Sequence, residues 1–527
     1  MNRKNFIKGS TFTLSLATLP LTGYKLQAAE KQKTTMVYDF DLDEMTIDKL
    51  QHKMQDGTLS ARAITEKYLK RIEAIDKNGI ALKAVITLNP NALKEAEARD
   101  IERKDGKVRS ALHGIPVLIK DNIETAGIET TAGSMALADY KPAKDAPLVQ
   151  NLREAGAVIL GKTNLSEWAN IRSSKSSSGW SSRGGQTKNP YILDRSPVGS
   201  SSGSAVAVAA NLCVVAVGTE TDGSVVAPAS GNGIVGIKPT VGLISGEGIV
   251  PISKTQDTAG AMARTVSDAA ILLGALIDTS AKLPAADFML SLKSDALKGK
   301  IIGVERNWKS INTAINKLYQ STLDELERAG ATLVDVELLK EVDKTGDAEL
   351  EVLLTEFKDG LNQFLIKRDV QVRSLKDVIA FNKKHDGTVM RFFKQEFFET
   401  AEKTNGLTST EYLAALETCR NAVKIIDETF EKNKLDAMCG ITLGPVCSTD
   451  LLYGDRWGDV NFATPAAIAG YPHITLPCGF IYNLPVGLSF FGKAWSEPKL
   501  LGMAYAYEQL TRARKKPAFL QTFDENG

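Results

Sequence analysis

Two serine–glycine segments enclose one long apolar run, and this arrangement constrains the chain more than any other feature. The segments are Pro197-Val-Gly-Ser-Ser-Ser-Gly-Ser204 and Thr219-Glu-Thr-Asp-Gly-Ser-Val225, and the run between them is Ala205–Val217. Ser224 follows Ser200 by 24 positions. Ten glycines fall in the 50 positions from Gly199 to Gly248, well above the usual ~7 %, which suits a backbone making tight turns around a site. Twelve of the 32 residues from Ser173 to Ser204 are serine, a composition that alone would suit a flexible linker. Trp180, Pro190, Tyr191 and Pro197 interrupt it, and a helix of buried type follows directly, so a folded segment is the better reading.

A third segment lies far upstream. Gly114-Ile-Pro-Val-Leu-Ile-Lys-Asp121 sets Lys120 at the end of an apolar, strand-like stretch. The three segments supply a nucleophile, a second hydroxyl and an amine on a chain with four histidines. Serine is a weak nucleophile that needs a base, and Ser–Lys arrangements are known alternatives to histidine. With an ordinary pKa near 10.4, only roughly 0.04 % of a lysine is neutral at pH 7. Burial lowers that pKa, and the run Ile115–Ile119 can supply it. Asp121, next along an extended strand, points to the other face.

Alone, each segment has a plainer reading. Ser-Ser-Ser-Gly is usually a turn, and an apolar run ending in Lys-Asp is usually a strand end. Gly199 to Gly203 ahead of a helix could cradle a phosphate, but no G-K-[ST] follows and G-x-G-x-x-G is absent. Their joint order and spacing carry the argument. It resembles the amidase signature family, whose reading is G-G-S-S-G-G-S, G-T-D-x-G-G-S and G-x-K-P-T; the last appears as Gly236-Ile-Lys-Pro-Thr240. His113–Asn122 matches the family's lysine segment, and Asn461–Gly479 and Leu484-Pro-Val-Gly-Leu488 its C-terminal part, so the likeness spans roughly residues 45–515. Trp168-Ala-Asn170, Ser176-Ser-Ser-Gly-Trp180 and Gly218–Ser224 look most like the bacterial peptide amidase branch.

The resemblance implies an α/β fold: a single large domain with a mixed, twisted central sheet covered by helices. It implies a triad of Ser224 as nucleophile, Ser200 as bridging serine after a cis peptide bond, and Lys120 as base, with Ser201 holding the lysine. Backbone N–H groups of Thr221, Asp222, Gly223 and Ser224 are the candidate oxyanion donors, and Trp180 a candidate substrate contact. A helix starting near Ser204 would turn its positive end toward the site. Val198, Ser202, Glu220 and Asp222 depart from the family pattern; the peptide amidase branch shares the last three. Asp222 could contact the substrate amide or make a structural hydrogen bond, and Trp168, Trp180 and Trp457 could line a pocket or fill the core.

The leading activity is therefore deamidation of C-terminally amidated peptides through an acyl-enzyme. The alternatives are a broad amidase for small aliphatic or aryl amides, an amidotransferase glutaminase subunit, and a non-catalytic peptide-binding protein. Ser496-Glu-Pro-Lys499 and Lys344-Thr-Gly346 match fragments of the penicillin-binding signature in reversed order and without S-D-N. No cofactor or metal is implied; the partner is a small-molecule or peptide amide, with the chain a monomer or homodimer.

The chain has 527 residues and a formal charge of +1, with no basic excess for nucleic acid. Arg3, Lys4 and Lys8 precede the apolar run Phe12–Leu21, and Leu26-Gln-Ala28 offers a small-residue cleavage site. Residues 1–28 read as an export signal, too short to insert stably in a membrane, which places a mature chain 29–527 in the periplasm or outside the cell. Five cysteines without C-x-x-C spacing make no disulfide framework, although Cys439 and Cys447 could pair. Helical periodicity over Asp43–Asp76, broken at Gly57–Ser60, and over Asp145–Gly156, followed by a short strand Ala157–Leu160, gives the alternation of an α/β core. Residues 280–435 are richer in charge and helix, and the stripe Leu353, Phe357, Leu361, Phe364 reads as core packing.

Overall fold

The strand that delivers Lys120 is apolar because it is buried on both faces, and that position fixes the rest of the architecture. In the computed structural model, which describes residues 39–278, 282–306 and 309–523, strand β2 (Pro116–Lys120) is buried at every residue. The other strands are β1 (Val85–Leu88), β3 (Val158–Thr163), β4 (Trp180–Ser181), β5 (Gly185–Gln186), β6 (Val215–Glu220), β7 (Val235–Lys238), β8 (Thr258–Ala263), β9 (Ile301–Val304), β10 (Thr332–Asp335), β11 (Ala437–Ile441), β12 (His473–Ile481) and β13 (Leu484–Phe491). β4 and β5 form a separate two-stranded ribbon. The others make one eleven-stranded sheet in the order β1-β3-β2-β6-β8-β7-β12-β13-β11-β9-β10.

The sheet is mixed. β2 runs parallel to β3 and β6, and β9 parallel to β10 and β11; the remaining neighbours are antiparallel. Because β2 and β6 are adjacent and parallel, Lys120 and Glu220, their last residues, emerge on one edge of the sheet. The first half of the apolar run becomes a helix, Ser202–Ala209, buried at all eight residues. Its second half becomes β6, against which the helix packs, together with β2 and β3. A helix apolar on every side belongs in an interior, so both serine segments are drawn inward with it.

Periodicity located the N-terminal elements. Helices Ile47–Gln55 and Ala61–Arg71 flank the break at Gly57–Ser60. Ser60 caps the second, its hydroxyl accepting from Ala63 N at 3.1 Å. Helix Pro147–Glu154 precedes β3, which runs three residues beyond the expected Leu160. The segment 280–435 is helical, with helices Gly346–Ile366, Leu375–Lys384 and Thr410–Asn433, but it also contributes the short strands β9 and β10 to one edge of the sheet. All five cysteines are free thiols, so Cys439 and Cys447 do not pair. Among the described residues no helix is long and apolar enough to cross a membrane. The export segment 1–28 lies outside the described residues.

Candidate active site

At the end of β2 the Lys120 side chain has no solvent exposure. Its Nζ lies 2.8 Å from Ser200 Oγ, 2.9 Å from Ser201 Oγ, 2.9 Å from Thr219 Oγ1 and 3.1 Å from the Thr219 carbonyl. These four oxygens are not equivalent. The Ser201 hydroxyl donates to the Thr219 carbonyl at 3.0 Å, so toward Lys120 it accepts. A neutral amine can give its two N–H protons to Ser201 Oγ and the Thr219 carbonyl. Its lone pair then faces the hydroxyls of Ser200 and Thr219. Among the described side chains, Ser200 Oγ meets Lys120 alone. Burial pushes the amine down to about 7, against the opposing charges of Asp257 and Glu220. Asp121 turns away, as strand alternation requires: its carboxylate accepts from Thr131 and Gly133 and lies in the field of Lys162.

The two serine segments are tied by backbone. The peptide bond between Gly199 and Ser200 is cis, and Ser201 N donates to the Ser224 carbonyl at 3.2 Å. The helix after them starts at Ser202, two residues before Ser204, so its positive end sits beside Lys120 and disfavours the ammonium form.

On the second segment, β6 ends at Glu220 and a helix begins at Val226. Gly223 turns the loop between them with φ of 74°, a conformation only glycine adopts cheaply. The buried Glu220 carboxylate accepts from the N–H groups of Val225 at 2.7 Å and Val226 at 3.0 Å, and the Gly223 amide also faces it. Thr221 Oγ1 donates to Asp257 at 2.6 Å. Asp222 Oδ2 accepts from Thr464 Oγ1 at 2.8 Å, while Oδ1 is buried with no hydrogen-bond partner.

A cavity of about 320 Å³ opens over this loop. Gly199, Thr221, Asp222, Gly223 and Ser224 form its floor, and Ile171, Val198, Ile252, Leu353, Leu443 and Val460 are among its apolar walls. Ser201 does not line it but holds Lys120. Trp180 does not reach it either: the indole is buried against Phe392 and Phe393, with the Arg172 guanidinium over its ring. Trp168 is likewise core, against Phe398. Trp457, 44 % exposed, is the tryptophan at the cavity. The stripe on helix Gly346–Ile366 is core at Phe357, Leu361 and Phe364, whereas Leu353 lines the cavity. Sequence reasoning gave no individual role to Thr464, Glu349 or Ser178: Thr464 and Ser178 fall inside the matched segments Asn461–Gly479 and Ser176–Trp180 without being distinguished there, and Glu349 falls in none. It also missed the left-handed turn Trp168–Asn170, with φ of 54°, 53° and 77°, that forms one cavity rim.

Such a site offers a serine at the floor, a hydroxyl bound to a desolvated amine, and a turn of backbone amides, the parts acyl transfer needs. Residues 63–501 match the protein family described as Amidase. The native peptide amidase of Stenotrophomonas maltophilia superimposes with a TM-score of 0.86 at 48 % identity, over 91 % of this chain and 99 % of that one. A protein of Arabidopsis thaliana described as a "Probable amidase" is 42 % identical over 504 residues, covering 91 % of this chain and 93 % of that one. One subunit of the glutamyl-tRNA(Gln) amidotransferase of Thermoanaerobacter pseudethanolicus is 33 % identical over 500 residues, 90 % of this chain and 98 % of that one.

Proposed function

The chain belongs to the amidase signature family and is a hydrolase of amide carbon–nitrogen bonds; from that premise we propose that it deamidates C-terminally amidated peptides, with Ser224 as nucleophile, Ser200 as proton relay and Lys120 as base. Ser224 Oγ attacks the amide carbon, its proton passes to Ser200 Oγ, and the Ser200 proton passes to neutral Lys120. Backbone N–H groups of the Thr221–Ser224 loop receive the oxyanion. Collapse returns the proton through Ser200 to the leaving nitrogen and releases ammonia. Water then opens the acyl-enzyme by the same relay, giving the carboxylic acid.

The observation that carries the assignment is the Lys120 amine, fully buried with Ser200 Oγ at 2.8 Å. The peptide preference is supported by the likeness to the Stenotrophomonas peptide amidase; among the described residues the cavity walls hold no lysine or arginine to clamp a free carboxylate, which favours an amide over an acid. A cavity of about 320 Å³ also suits a small aliphatic or aryl amide, the second reading.

Mass spectrometry of amidated dipeptides, their free acids, propionamide, benzamide and glutamine, incubated with residues 29–527, separates the two. Gain of about one mass unit confined to the amidated peptides, absent from Ser224→Ala, is the expected result; cleavage of the small amides alone removes the peptide reading. The same proposal places the enzyme outside the cytoplasm through residues 1–28. Their removal takes away Arg3, Lys4, Lys8 and Lys25 and no acid, from +1 to −3. Intact mass of the protein from an expressing cell should start at residue 29, and a chain retaining Met1 only in the cytosol contradicts export.

A further inference from the structure

Asp222 is the one residue with an ionisable side chain among the described residues lining the cavity. It sits two positions before Ser224, and its Oδ1 is buried with no donor to offset its charge. A second carboxyl group backs it. Glu349, on helix Gly346–Ile366, is 7 % exposed, and its Oε1 accepts from Gln256 Nε2 at 2.8 Å. Gln256 also donates to the Thr221 carbonyl at 3.4 Å, which ties Glu349 to the loop carrying Asp222. One carboxyl group at the floor is thus backed by a second, from a distant part of the chain, through Gln256, in a site whose product is itself a carboxylate.

We propose that the Asp222–Glu349 pair makes this site select amide over acid: its negative charge repels the carboxylate product and leaves the neutral amide unaffected. The proposal rests on amide hydrolysis at this cavity and is independent of the peptide preference. Amide and acid are nearly isosteric, so shape discriminates poorly between them, whereas charge in a desolvated site discriminates strongly. An enzyme that binds its product less tightly than its substrate also avoids holding it.

The surrounding groups do not cancel this field. Glu220 adds to it from behind the loop, and Lys238, the cation facing Asp222, also lies in the field of Glu220 and Glu497. Asp257 reaches the loop through Thr221, and Lys120 lies beyond Ser200. On the Glu349 side the neighbours are Gln256 and the Cys419 thiol. Burial and the Glu349 charge raise the Asp222 carboxyl well above the usual carboxylate range, and burial raises Glu349 as well. Raised carboxyls lose their protons later as pH rises, so the negative charge of the pair, and discrimination with it, grows toward alkaline pH.

Calorimetric affinities of an amide and its matching acid, in the Ser224→Ala background at pH 7.5, test this. The parent should bind the amide at least about tenfold more tightly than the acid. Glu349→Gln should bring that ratio toward one by tightening acid binding, with amide affinity within about threefold, and Asp222→Asn should also tighten acid binding. Glu349→Gln keeps a carbonyl for Gln256, so its fold is protected, and in an otherwise active chain it should also make the acid a stronger product inhibitor. Acid affinity should fall with rising pH more steeply in the parent than in Glu349→Gln; Lys120 titrates in both and drops out of the comparison. An unchanged ratio in both variants, or a parent without preference, overturns the proposal. Residual turnover by Ser224→Ala would instead count against the nucleophile assignment.

Discussion

Lys120 shows how far a single side chain can be pushed from its preferred state. Its amine is buried, bounded by four oxygens and brought down to about 7. Because the folded pKa lies below the unfolded one, the folded state binds fewer protons between about pH 7 and 10.5. The desolvation cost is fully present below pH 7 and disappears as pH rises through that window. Removing the amine should therefore not weaken the fold at neutral pH. Lys120→Met should lose at least about a thousandfold in kcat/KM with a Tm no lower than the parent's, the stability–activity opposition of a strained site. The parent's kcat/KM should climb on its acid limb through about pH 7 as the neutral amine forms. A methionine variant that melts well below the parent would show the lysine to be structural; a limb lying below pH 5 would remove it as the base. Lys120, Ser200 and Ser224 were legible because each lies in a short segment whose residue types already imply chemistry. Glu349 was not, since it lies in the segment without signature residues, and Thr464, although inside Asn461–Gly479, was not distinguished there; folding brings both to Asp222.

At the scale of elements, the loop that carries Ser224 is a strand-to-helix turn held by one carboxylate. Glu220, last in β6, accepts from two N–H groups of the helix that follows Ser224. Glutamine there presents an amide that can satisfy one donor but adds its own N–H groups to a buried place, at a cost of about 1–3 kcal/mol. Glu220→Gln should lower kcat about tenfold or more with little change in KM, because the loop that sets Ser224 shifts while the cavity walls stay. Glu220→Asp, one methylene short, should recover part of the loss. Equal losses in KM and kcat, or no recovery with aspartate, would assign Glu220 to substrate binding. Around this loop a buried helix was legible in the Ala-rich stretch after Ser204, whereas its start at Ser202 and the division of Ala205–Val217 between that helix and β6 were not. β9 and β10 were hidden: each has four residues, and β10, at the sheet edge, has no buried residue to mark it.

Across the whole molecule, the site exists because two parallel neighbours, β2 and β6, end on the same edge, a recurrent place for chemistry in α/β sheets. An α/β core followed from the alternation of periods and a single large domain from the family resemblance, but the closure of the cavity followed from neither. Its far wall comes from Leu353, on a helix more than a hundred positions beyond Ser224, in a segment without signature residues. The stripe containing Leu353 has core spacing, and a sequence cannot say which member of such a stripe faces a void. The wall is therefore separable from the chemistry. Leu353→Trp fills part of a cavity of about 320 Å³ without touching Lys120, Ser200 or Ser224. It should raise KM for amidated dipeptides by about tenfold and leave kcat for the smallest amide the enzyme accepts within about threefold. If kcat for the small amide falls in step with the peptide loss, the helix acts on the relay itself and wall and machinery are one unit. If neither substrate responds, the acyl group lies elsewhere, against Trp457 and Val460.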